Sequence, residues 1–120
     1  MSRYSPGQVA ERTGFSLDTL RYYERIGLLD NIARTGGGQR TFTDDDVSWL
    51  GLLRCLRETG MPIASMLRFA ELVRGGEETI AERITLLEDH DREVAVRIAS
   101  LRTQQERIQA KIRWYRAAEG

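Results

Sequence analysis

Arginines and tyrosines set close to a run of glycines are the residues in this sequence best suited to chemistry. Arg21, Tyr22 and Tyr23 are consecutive, Ser16 and Thr19 stand just ahead of them, and Arg34 and Arg40 flank the triplet Gly36-Gly37-Gly38. A guanidinium offers a planar fork of donors that fits a phosphate or the edge of a guanine, although high-GC codon usage gives the same bias toward arginine. The remaining reactive groups are sparse. Cys55 is the sole cysteine and His90 the sole histidine. One thiol can form neither an internal disulfide nor a multi-cysteine metal site, and His90 reads as solvated rather than as a ligand. Asp44-Asp45-Asp46 point in different directions on a helix and read as capping, not acid–base chemistry. An enzyme is not expected, and neither is a cofactor or a bound metal.

These side chains need elements to hold them. Ser5 followed by Pro6 opens a helix that Gly14 ends, and Ser16 caps a second helix through Ile26 that Gly27 ends. Two short helices joined by a glycine turn outline a helix-turn-helix. Residues 31–34 and 39–42 read as the two arms of a hairpin around the glycines, a wing in place of a linker. Thr43 and the three aspartates cap a third helix with an apolar stripe at Val47, Leu50, Leu53 and Leu56. A fourth runs from Pro62 to Arg74 with Ile63, Met66, Phe69, Ala70 and Val73 inward.

From about Glu77 to Ala117 neither glycine nor proline interrupts the chain. Apolar residues recur there in steps of four and three: Ile80, Ile84, Leu87, Val94, Ile98, Leu101, Ile108, Ile112 and Tyr115. Asp91 and Gln105 fill the two remaining positions. This is a heptad seam on a helix about 60 Å long. Alone it exposes its stripe to water, so a second copy of the same helix is the simplest partner. Asp91 and Gln105 either fix register and partner choice or mark where the coil splays.

Composition sets limits. The 120 residues are 41% apolar and 30% charged, with net charge zero. Arginines in residues 1–42 outnumber acids six to four, an asymmetry too small to identify a DNA binder. No run of 18 apolar residues is present and no signal-like start precedes the first helix, so no membrane span and a cytoplasmic location are expected.

At these residues the chain resembles the MerR family of transcription regulators. The stretch Leu20-Arg21-Tyr22-Tyr23-Glu24-Arg25-Ile26-Gly27-Leu28-Leu29 is similar to the family's recognition helix and its exit. Tyr4 to Ala10 resembles the first helix. Arg34, Gly38, Arg40, Phe42 and Thr43 to Val47 follow the wing and next cap, and Gly60 to Ile63 the turn after the third helix. Asn31-Ile32 stand where a proline pair is usual, and Gln39 where an aromatic residue is common. The resemblance implies a mostly α protein. A winged helix-turn-helix DNA-binding domain with the third and fourth helices occupies residues 1–76. A long helix over 77–120 pairs in an antiparallel coiled coil. It further implies a homodimer on an inverted repeat of double-stranded promoter DNA, acting by DNA distortion beside RNA polymerase.

It also assigns DNA contacts to Ser16, Thr19, Arg21, Tyr22, Tyr23, Arg34, Gly38, Arg40 and Arg57. One of the two tyrosines must pack inward, because adjacent residues cannot share a helix face. Arg57 has an alternative in pairing with Glu58 or another acid. The segment Leu53 to Met61 is similar to a lone-cysteine subgroup associated with aldehyde, thiol-stress or nitrosative signals. There Cys55, with Arg54 and Arg57 near in sequence, would sense by covalent chemistry; the alternative is an apolar filler. An architectural DNA binder of the excisionase kind, without promoter control, and a coiled-coil adaptor are the other classes weighed. The long helix argues against the first, the helix-turn-helix and wing against the second.

Overall fold

Reciprocal caps start the first helix. Ser5 Oγ accepts from the Gln8 amide at 3.2 Å while Gln8 Oε1 accepts from the Ser5 amide at 2.8 Å, satisfying two donors the helix cannot. The computed structural model describes residues 2–120, and in it this helix, α1, spans Pro6–Thr13. Ser16 caps α2, Leu17–Ile26, by accepting from the Thr19 amide at 3.1 Å. Gly14 joins them at φ 77°, and a Cβ there would collide with the Arg54 guanidinium. Arg54 Nη1 donates to the Thr13 carbonyl at the end of α1, so the glycine turn leaves room for an arginine that tethers the third helix to it.

Three short strands follow the pattern of a wing. β1 (Arg3–Tyr4), β2 (Ala33–Arg34) and β3 (Arg40–Thr43) form an antiparallel sheet ordered β1-β3-β2. Tyr4 pairs with Phe42 and Arg34 with Arg40. β1 was not anticipated, since two residues carry no readable alternation. Thr43 then caps α3, Asp44–Glu58, in a second reciprocal box with Asp46.

Helix α4 spans Ile63–Arg74; Pro62, expected as its first residue, is its N-cap. Leu50, Leu53, Leu56, Met66, Phe69 and Ala70 are buried as anticipated. Ile63 is exposed, Val47 and Val73 are half-buried, and Leu72 is buried instead. The core of this unit closes on Val9, Leu20, Tyr23, Leu28 and Phe42. Trp49 stacks on Phe69 with centroids 5.7 Å apart and donates to the Leu28 carbonyl at 2.8 Å, fixing the exit of α2 against α3.

The long helix, α5, spans Ile80–Glu119. Residues 77–79, expected at its start, lie in a 3-10 turn, Gly76–Thr79. There Thr79 Oγ1 donates to the Leu72 carbonyl, and to the Gly76 carbonyl at 2.9 Å, while Gly76 takes φ 79°. The chain divides into two compact units, one ending at Ile80 and one from Ala81 to Gly120. No described residue of α5 is buried. Leu87 and Val94 are half-buried; Ile80, Ile84, Ile98, Leu101, Ile108, Ile112 and Tyr115 are exposed, Leu101 at 70%.

Candidate nucleic-acid interface

Two adjacent tyrosines divide α2 into an inner and an outer face. Tyr23 is 2% exposed and meets Phe15 edge-on at 5.2 Å, whereas Tyr22 is 39% exposed. Tyr23 therefore departs from its expected place among the DNA contacts, because its ring is a core group between α2 and the turn before it. Burial pushes its hydroxyl above the usual tyrosine pKa, opposed by the nearby Arg57 guanidinium. Arg57 lowers the pKa both by charge and as a hydrogen-bond donor near the hydroxyl, although Tyr23 Oη, buried, makes no hydrogen bond of regular geometry.

The outer face carries Asp18, Arg21, Tyr22 and Arg25. Arg21 Nη1 lies 3.2 Å from Asp18 Oδ1, with both side chains largely in solvent. Such a pair contributes little stability and leaves the guanidinium free to exchange partners. Arg25 stands over the Tyr22 ring at 5.4 Å. Ser16 Oγ donates to Thr19 Oγ1 at 2.9 Å, so both hydroxyls sit at the amino end of α2, the end that supplies free amides to an anion.

The wing is tightly turned. The Gly38 amide donates to the Thr35 carbonyl at 2.9 Å and the Thr35 amide to the Gln39 carbonyl at 2.7 Å. Gly38 has φ 86°, which a side chain would oppose. Arg34 Nη1 donates to the Gly38 carbonyl at 3.2 Å. Ahead of the wing, Asn31 takes φ 55°. Proline's ring fixes φ near −65°, so the departure from the family's proline pair has a backbone counterpart here.

One residue not anticipated at the site joins its two parts. Glu24 Oε1 accepts from Arg40 Nε at 2.7 Å and lies 3.5 Å from Arg34 Nη2. Its partners lie ten and sixteen positions away, a separation with no local sequence signature.

The arginines on either side of Cys55 in sequence have partners of their own. Arg54 is committed to Thr13 and to Glu58, the latter at 2.8 Å. Arg57 stands over Phe15 at 5.9 Å, and Glu58, its alternative partner, is taken by Arg54. Cys55 itself is exposed, which does not fit the second of its two readings, an apolar filler. Among the described residues no group of three or more His, Cys, Asp or Glu is placed to hold a metal ion, and no helix is long and apolar enough to cross a membrane.

The profile of the MerR HTH family regulatory proteins matches residues 4–69. An uncharacterized HTH-type transcriptional regulator of Haemophilus influenzae is 40% identical over 116 residues, spanning 97% of this chain and 86% of that protein. The crystal structure of HiNmlR, a MerR family regulator lacking the sensor domain and bound to promoter DNA, superposes with a TM-score of 0.82 at 42% identity. It covers 88% of this chain and 80% of that one. A MerR family transcriptional regulator structure from Listeria monocytogenes gives 0.85 at 35% identity, covering 91% and 83%. The chain belongs to the MerR family of DNA-binding transcription regulators, and it is not an enzyme.

Proposed function

We propose that the protein works as a homodimer on an inverted-repeat promoter operator in the cytoplasm, distorting the DNA and acting on transcription by RNA polymerase. In this reading the DNA-binding domain is residues 1–76 and the dimerisation helix residues 77–120. The observation that carries it is the joint presentation, in one unit, of an outward α2 edge bearing Arg21 and Tyr22 and a glycine-tight wing bearing Arg34 and Arg40. A helix of this kind enters the major groove while a wing reaches the flanking backbone, and HiNmlR was crystallised on promoter DNA. Ser16 and Thr19 serve the amino end of the helix, Gly38 lets the wing backbone approach closely, and Arg57 extends the cationic edge.

Pairing of α5 with a second copy, as an antiparallel coiled coil, is supported by its exposed apolar seam from Ile80 to Tyr115. Cys55 has the accessibility that a covalent sensor of electrophile or thiol stress requires. Footprinting on the gene's own upstream DNA tests the reading. A symmetric protected repeat is expected, and indifference to sequence would favour an architectural binder.

A further inference from the structure

We propose that Glu24 is the positioning residue of the wing. It is the carboxylate through which the recognition helix aims Arg34 and Arg40, and it acts on DNA only through them. The inference rests on the reading that these two arginines meet DNA. Glu24 sits in the last turns of α2, and a single oxygen, Oε1, serves both arms of the hairpin: β3 through Arg40 Nε at 2.7 Å and β2 through Arg34 Nη2 at 3.5 Å. Arg34 carries the link on to the tip, donating Nη1 to the Gly38 carbonyl at 3.2 Å. The chain of contacts thus runs from helix to strand to turn.

Exposure indicates which pair matters more. The Glu24 and Arg40 side chains are 23% and 26% exposed, so their pair is screened less than the more exposed Arg21–Asp18 pair. The ladder between the arms is short, β2 being two residues long, and such a hairpin is marginal by itself. An ion pair from α2 to each arm supplies what the ladder lacks. Arg40 meets Glu24 through Nε, which leaves its two terminal nitrogens for a phosphate. A carboxylate behind an arginine in this way orients it without occupying its outer edge.

The test uses the full chain with the near-isosteric Glu24→Gln. In the free protein, amide exchange at Thr35 and Gly38 is expected to quicken about tenfold while amides of the core, such as Leu53, keep their rates. Unchanged wing exchange would overturn the proposal. On operator DNA, Glu24→Gln is expected to weaken binding about fivefold, and to have no effect when Arg34 and Arg40 are both alanine, since coupled residues are non-additive. An equal loss in that background overturns the proposal. So does tighter binding by Glu24→Gln, which would make Glu24 merely a charge that repels DNA. If Glu24→Gln loosens core amides as well, Glu24→Asp decides: faster exchange confined to the wing is required, and uniform loosening contradicts it. Failure of the wild type to bind its upstream DNA would remove the functional reading, while exchange in the free protein still decides the role of Glu24 in holding the wing.

Discussion

Tyr22 and Tyr23 are neighbours with ring centroids 6.1 Å apart, yet one ring faces solvent and the other closes the core. In the proposed reading the first serves binding and the second folding. Tyr22→Ala is expected to weaken operator binding while changing stability by no more than about 0.5 kcal/mol. Tyr23→Ala is expected to cost about 3–5 kcal/mol, as loss of a large buried ring does. Urea titrations beside anisotropy measurements check both.

The unpartnered Tyr23 hydroxyl gives a pH test. Burial raises its pKa in the folded state above the ordinary 10.0, so the folded protein resists an ionisation that the unfolded chain accepts. The associated stability is fully present below about pH 10 and is lost as pH climbs toward the raised folded value. Tyr23→Phe is expected to flatten this alkaline decline. At neutral pH it should leave stability unchanged or higher by up to about 1 kcal/mol, because it removes an unsatisfied buried group. A large loss at pH 7 would show that Tyr23 Oη has a partner after all.

Gly14 and Arg54 form a matched pair. Gly14→Ala meets both the φ of 77° and the guanidinium that reaches Thr13. A loss of about 1–2 kcal/mol from backbone handedness alone is expected, with a further loss as Arg54 is displaced. Repeating the substitution on Arg54→Ala should recover the second part, and thermal melts of the four proteins read it out.

Much of this was legible because local chemistry decided it. Ser5, Ser16 and Thr43 cap where their types demand, and Gly14 and Gly27 stop helices as C-terminal glycines do. The heptad spacing marked α5, and adjacency required that one of Tyr22 and Tyr23 face inward. What escaped depends on tertiary proximity. Glu24 meets arginines distant in sequence, and β1 exists only because β3 is there to pair with it. Arg54, next to Cys55 in sequence, is engaged with Thr13 and Glu58, partners that only the folded chain brings to it. Leu72 is buried where a stripe drawn through Val73 placed a neighbour, a one-position error typical where a short helix contacts more than one element.

The exposed thiol leads to a direct chemical expectation. Cys55 in the folded protein should react fully with a small thiol reagent before any unfolding, since it is already at the surface. A promoter reporter under aldehyde or nitrosative challenge should lose its response in Cys55→Ser. A response that survives the substitution would remove Cys55 from signalling.

The proposed pairing of α5 can be tested at its seam. Ile98 is exposed in the single chain, and replacing it by aspartate would place a charge at the middle of a paired helix. A buried unpaired charge typically costs about 3–5 kcal/mol, so sedimentation of Ile98→Asp should show monomers where the wild type shows dimers. An unchanged dimer would place the contact elsewhere.

The most direct measurement is anisotropy of the full-length protein on its own upstream DNA and on a scrambled duplex of equal length, titrated with salt. Two chains per duplex are expected, with affinity for the upstream DNA about a thousandfold or more above that for the scrambled one. Arg21→Ala should lower the salt slope by about one unit. Equal affinity for the two duplexes, or a salt slope untouched by Arg21→Ala, would contradict a sequence-specific regulator that reads DNA through this helix.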